Sequence, residues 1–174
     1  MKRINLFGSI LLVWVMFLSD IVSAQQANLK CSSGNPTNGA QTLHCGGGVT
    51  IVAENGAQYT LGDVNRDGRI DSVELSTKAL LLDVPGKSSG RKFQVNTPQA
   101  IAAVRGTRWA VDVAEGKTSV FVVNGRVSVG RRTPGERKVV LAAGEGVDVE
   151  ASSPLVVKRW APARVSALMA RLGQ

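Results

Sequence analysis

Between residues 49 and 149 the chain repeats one pattern. A short run rich in Val, Ile, Leu and Thr is followed by a cluster of turn residues. The runs fall at 49–53, 58–61, 73–75, 79–84, 93–95, 100–104, 109–113, 118–123, 126–129, 139–141 and 147–149. Many short strands with turn signals between them imply an all-β sandwich or roll. No crossover helix separates the runs, which argues against a parallel α/β sheet. Asn55-Gly56 and Asn124-Gly125 each stand between two runs and are expected to close tight hairpins, because both residues tolerate positive φ. Pro85-Gly86 and Thr133-Pro134-Gly135 mark further turns, and residues 87–91 read as a basic Ser/Gly loop. In Trp109-Ala110-Val111-Asp112-Val113, residues 109, 111 and 113 share one face. In the run 118–123, Val120 and Val122 face one way and Phe121 and Val123 the other, so burial on both sides is expected.

The ends read differently. Lys2 and Arg3 precede an apolar run at 10–18, and Val22-Ser23-Ala24 is a small-residue cleavage site, so residues 1–24 read as a secretory signal. Asp20 interrupts the apolar stretch, and no transmembrane span is expected after cleavage. If the segment is retained, it is an anchor instead. No Cys stands at the cleavage point, which argues against a lipoprotein. Residues 25–48 are polar and Gly-rich and read as a leader. Residues 151–174 read as a linker and a helix. Pro162 starts that helix, and Val165, Leu168, Met169 and Leu172 form one apolar stripe. The stripe docks either on its own domain or on a membrane surface or partner.

Export sets the redox context. Cys31 and Cys45 are the only cysteines, and in an oxidising compartment an even pair is expected to bond. His44 beside Cys45 adds too few ligands for a closed zinc site. The chain carries a formal charge of +8. Without Lys2, Arg3 and Asp20, its 21 basic and 13 acidic residues become 19 and 12. Such a surface attracts anionic partners or serves solubility. Nucleic acid is not expected as a partner, since aromatics are scarce and no basic helix or stacking platform is present.

One loop carries a metal pattern. Asp63-Val64-Asn65-Arg66-Asp67-Gly68-Arg69-Ile70-Asp71-Ser72-Val73-Glu74 matches an EF-hand loop, with oxygen ligands at Asp63, Asn65, Asp67, Asp71 and Glu74 and Gly68 at the sharp turn. Its flanks read as strands rather than helices. Two readings therefore stand: a polar turn, or a single dockerin-like calcium loop. No other cofactor is indicated. Enzyme chemistry has little support, because the single His44 lies in the leader, away from any Ser-His-Asp arrangement. Asp112, Glu115 and Asp148 are not distinguished from ordinary surface acids.

The central block holds Thr97-Pro98-Gln99-Ala100 and Val104-Arg105-Gly106-Thr107-Arg108-Trp109-Ala110-Val111. These motifs resemble the FecR domain, the periplasmic module of iron-dicitrate-type signal transducers. Asn124-Gly125-Arg126-Val127 and Leu141-Ala142-Ala143-Gly144-Glu145-Gly146-Val147 continue the likeness, which covers roughly residues 50–150. It implies a FecR-like β-roll or sandwich, with some β-helix-like stacking. The residues also make local sense. Thr97-Pro98 keeps the chain extended. Gly106 allows a sharp turn. Arg105 offers a donor fork that either pins the turn or contacts a ligand.

Departures from the family bound the function. FecR-type regulators resemble one another in having a cytoplasmic anti-sigma segment, a membrane helix and a receptor-facing module. Only nine residues precede the apolar run here and residues 151–174 alone follow the β region, so a free-standing domain is expected. The leading expectation is a periplasmic or secreted module of a Gram-negative-type envelope. It binds or senses a protein or envelope component without catalysis. The alternative is a calcium-stabilised envelope structural or adhesion protein, and a distant one is an anchored signal transducer.

Overall fold

Strands that are apolar on both faces need a cover on each side. The computed structural model supplies both, and it describes residues 29–86, 92–133 and 135–174. The signal-like segment 1–24, the loop 87–91 and Pro134 lie outside the described residues. The strands are β1 (Cys31–Ser33), β2 (Gln41–Cys45), β3 (Val49–Ala53), β4 (Gln58–Gly62), β5 (Ser72–Val84), β6 (Phe93–Asn96) and β7 (Ala100–Val104). They continue with β8 (Thr107–Ala114), β9 (Lys117–Asn124), β10 (Arg126–Arg131), β11 (Val139–Ala142), β12 (Glu145–Val149) and β13 (Lys158–Arg159). A single helix follows, α1 (Pro162–Arg171).

The strands form two layers that share β5. The first sheet runs β1-β2-β3-β5-β8-β9-β12-β13, and the second β4-β5-β6-β7-β10-β11. Residues 72–77 of β5 pair in the second sheet, and residues 78–84 in the first. The strand changes layer at Lys78, whose φ is +65°. A local kink of this kind is how one strand serves two packed sheets. The sequence marks this strand as two separate runs, 73–75 and 79–84, because the polar residues at the kink interrupt the apolar pattern.

Hairpins then alternate between layers. β6–β7 and β10–β11 lie in the second sheet, and β8–β9 and β12–β13 in the first. Asn124-Gly125 therefore closes no hairpin, since β9 pairs with β8 and β12 while β10 pairs with β7 and β11. Asn55-Gly56 likewise joins β3 to β4, which pair with different halves of β5. Positive φ at Gly56 and Gly125 does make sharp turns, as expected, but they are corners between sheets. An Asn-Gly pair specifies a reversal of the backbone; the neighbours on each side decide which strands then pair.

Between the layers lies one apolar cluster, including Ile51, Val73, Leu82, Val95, Trp109, Val120, Val127 and Leu141. A second cluster covers the other face of the first sheet. There Val52, Leu81, Ala110 and Phe121 meet Trp160, Leu168 and Leu172 from the C-terminal segment. The stripe Val165, Leu168, Met169 and Leu172 thus packs on the chain's own sheet. Burying Leu168 and Leu172 contributes about 1.5–3 kcal/mol each. The run 118–123 is buried on both sides except at Val123, which is exposed.

Residues 31–33 and 41–45 of the segment read as a polar leader are part of this sheet. β2 pairs with β3 over residues 41–45, and β1 pairs with β2. Ala40 is buried in the helix-side cluster. The apolar content of residues 25–48 is too low to mark strands by periodicity, and the order of β1 and β2 comes from pairing and from the Cys31–Cys45 bond. No helix among the described residues is long and apolar enough to cross a membrane.

Candidate functional site

Most of the signature residues act as joints between the layers. At one end of the sandwich the corners stack. A Cβ on Gly106 would come within 2.7 Å of the Gly86 Cα, and one on Gly125 within 2.7 Å of the Gly106 carbonyl oxygen. This stacking of successive corners is the β-helix-like feature of an otherwise antiparallel fold, in which β5 with β6 is the parallel pairing. Thr107 is buried, and its hydroxyl donates to the Arg126 carbonyl at 3.0 Å, tying one corner to the next. At the other end Thr97 closes the β6–β7 turn by accepting from the Ala100 N–H at 2.9 Å. Its hydroxyl also meets that of Thr118 on β9 at 2.8 Å, which pins the second sheet to the first.

Gly106→Ala is expected to cost about 2 kcal/mol, since it adds a backbone clash to a positive φ of +65°. Gly68→Ala, at φ +78° with nothing within 4 Å, is expected to cost about 1 kcal/mol. Urea denaturation of both variants checks this, and equal losses would mean that the close approach at Gly106 adds nothing.

Arg105 does not pin its turn. The turn is held by Thr107 and the glycines, and among the described residues the Arg105 guanidinium has no hydrogen-bond or ion-pair partner. It stands instead at one end of a concavity of about 480 Å³ on the outer face of β6, β7, β10 and β11. Ile101, Ala103 and Val140 floor this concavity, with Lys92, Arg126 and Lys138 also lining it. Among the described residues no element covers this face. Nothing in the sequence separated these cations from ordinary surface charge. Only the hairpin alternation brings β7 beside β10 and so joins Arg105 to Arg126.

The opposite face of the molecule is closed. Arg164 from α1 stacks over Trp160 at 3.5 Å, and Trp160 stacks on Phe121 with centroids 5.1 Å apart. Arg164 also donates to Asp148 at 2.5 Å, and Arg171 bridges Glu54 and Asp112. The sequence-noted acids Asp112 and Asp148 are thus each held by an arginine of the helix. Glu115, at φ +48°, lies in the β8–β9 turn. The Arg171 guanidinium is held charged by hydrogen bonds to Asp112 and Glu54, which outweigh its burial.

Burial works to raise the Asp148 carboxyl pKa. Hydrogen bonds from Arg164 and Ser119, with the charges of Arg164 and Lys117, outweigh it, and the net direction is downward. A pKa lowered by folding contributes stability that is present above the unfolded carboxylate value and lost as pH falls through the folded one. Asp148→Asn is therefore expected to flatten part of the acid branch of the stability–pH curve. Near neutral pH the loss is at most about 1 kcal/mol, because this pair is partly screened by solvent.

The loop 63–74 does not form an EF-hand. It joins β4 to β5, which pair from Gly62 with Ser72 onward, so strands stand where helices are required. Asp63 accepts the N–H groups of Asp67 and Gly68 at 3.2 and 2.7 Å. Asp71 accepts from the Val64 N–H and the Asn65 amide, and Asp67 accepts the Arg69 N–H. Glu74 lies within β5 and accepts from the Asn96 amide. These carboxylates hold the turn's own donors. Among the described residues no group of three or more His, Cys, Asp or Glu is placed to hold a metal ion. Millimolar calcium is expected to leave the melting temperature unchanged; a clear upward shift would restore the calcium reading. His44, for its part, meets the Thr50 hydroxyl through Nδ1 at 3.3 Å.

The family model described as FecR protein matches residues 37–128, a span from the β1–β2 loop into β10. Two crystal structures of a protein from Parabacteroides distasonis, described as a candidate anti-sigma factor, share the fold. Their TM-scores are 0.62 and 0.61 at 21% and 19% identity, covering 81% and 80% of this chain. The matched regions are 65% and 64% of those chains, so this chain spans less than two thirds of their length. At that identity the likeness establishes the fold. No curated protein matches the chain.

Proposed function

The chain belongs to the FecR family, and from that premise we propose that it is a non-catalytic binding or sensing module of the cell envelope that engages a protein partner. The observation that carries this reading is the asymmetry of the sandwich. One sheet is sealed by α1, while the outer face of the other is open and concave. Thr97, Gly106, Thr107 and Trp109 serve the frame that holds that face in shape. The Cys31–Cys45 bond suits an oxidising compartment, in keeping with residues 1–24 as an export signal. A periplasmic or secreted location is part of the proposal.

The test is chemical crosslinking of the purified, exported form to an envelope fraction, followed by identification of the adducts. One reproducible protein adduct is expected, and no adduct with any envelope component would overturn the reading. A transducing role is the second reading, favoured by the fold shared with the protein described as a candidate anti-sigma factor. It requires residues 1–24 to remain as an anchor. N-terminal sequencing of the protein from cells separates the two: a start at Gln25 supports the free module, and a start at Met1 the anchored one.

A further inference from the structure

We propose that the concave outer face of β6, β7, β10 and β11 docks an extended acidic segment of the partner protein, with carboxylates flanking an aliphatic side chain. This inference rests on the binding-module reading above and names the chemistry of its partner.

The floor of the concavity is apolar, formed by Ile101, Ala103 and Val140, and Val140 is 61% exposed. An open aliphatic floor takes an aliphatic side chain. Around it stand cations: Lys92, Arg105 and Arg126 at the end where the corners stack, and Lys138 toward the other end. Among the described residues none of the four has an acidic partner. Other cations of the surface are paired with acids, as Arg164 is with Asp148, Arg171 with Glu54 and Asp112, and Arg131 with Glu136, whereas these four gather around one apolar floor. The charge on this face is therefore left for a ligand.

The local geometry anchors the bases of three of these cations. The Lys138 stem lies over Gly130, where a Cβ would come within 2.9 Å of its Cγ. Arg105 and Arg126 flank corners that Thr107 ties together, since the Thr107 hydroxyl bonds the Arg126 carbonyl. Two guanidinium forks carried on tied corners at one end of a groove suit carboxylates, which they bind in bidentate fashion.

Other occupants fit less well. A bilayer is flat and is entered by aromatic or large apolar side chains, whereas this face is concave and no aromatic residue lines it. A second copy of the exported chain brings 19 basic against 12 acidic residues to the same face.

The test is fluorescence anisotropy on the exported chain with a labelled synthetic peptide of alternating Glu and Leu. Peptides with Lys for Glu, or Ser for Leu, and vesicles of anionic phospholipid are the comparisons. The Glu/Leu peptide is expected to bind best, and more weakly as salt rises. Arg105→Ala/Arg126→Ala should weaken it about tenfold or more, and Val140→Ser several-fold. Both variants should keep the wild-type melting curve, because these side chains are exposed. Equal peptide binding by the double variant, or stronger binding of vesicles than of peptide, overturns the proposal. So does a double variant that loses the peptide yet still crosslinks the envelope partner, an outcome that leaves the module reading standing. Failure of the wild-type chain to crosslink any partner is the separate result that removes that reading.

Discussion

Trp109→Ala is expected to destabilise the fold by about 3–5 kcal/mol, enough to unfold much of a domain of ordinary stability. Trp109 lies on β8 between Leu82 of β5 and Val122 of β9, with its side chain between the two sheets and no exposed surface. Truncation leaves a large void that the neighbouring strands, held in register on both sides, close only in part. The indole also carries a cost. Among the described residues its Nε1 is a buried donor without a partner. Trp109→Phe removes that unpaired donor along with some volume, so its loss should be much smaller than that of Ala. Urea denaturation of the three proteins checks both statements. Equal losses for Phe and Ala would show that ring packing is not what Trp109 contributes.

Replacing both Cys31 and Cys45 by Ser is expected to cost about 3 kcal/mol, the effect of releasing a loop of this length in the chain-entropy model. The two residues are 14 apart and directly opposite on β1 and β2. β1 has three residues and sits at the sheet edge, with little burial to hold it there. Cys45 is buried against the main core, so releasing the bond also loosens the start of the first sheet. Reductant should lower the wild-type melting temperature toward that of the variant and leave the variant unmoved. Insensitivity of the wild type to reductant would mean that β1 is held by its backbone pairing alone. The same experiment bears on compartment, because a bond this important to stability has to be kept oxidised.

Much of this fold is legible in the sequence. The apolar runs at 49–53 and 100–104 coincide with strands, and 109–113 and 118–123 lie within them. Pro162 begins the helix, and its apolar stripe docks on the chain's own sheet, one of the outcomes its spacing left open. What escaped was what depends on pairing. β1 and β2 have too few apolar residues for periodicity to reveal them. β5 looks like two strands because its kink at Lys78 is polar. The Asn-Gly pairs gave the right backbone reversal but the wrong strand partners, since a turn residue encodes φ and not the layer of the next strand.

The candidate site was half legible for the same reason. Arg105 stood out within its motif, which left it either pinning a turn or contacting a ligand. Lys92, Arg126, Lys138 and Val140 are far apart in sequence and ordinary singly. They become one surface only when β7 pairs with β10 and β10 with β11. Conversely, the most specific metal pattern in the chain, Asp63 to Glu74, lies in a turn between two strands. Its carboxylates cap backbone amides, which asks for the same Asp, Asn and Gly residues as calcium does.

The most direct test of the account is a photo-crosslinking amino acid placed at Val140, on the open face, with the same group at Val64 as a control. Val64 is 77% exposed on the β4–β5 loop, away from that face. After irradiation in cells, position 140 should yield a discrete adduct with one envelope protein, and position 64 none. An adduct from position 64 alone, or none from position 140, would contradict a module that works through its open sheet.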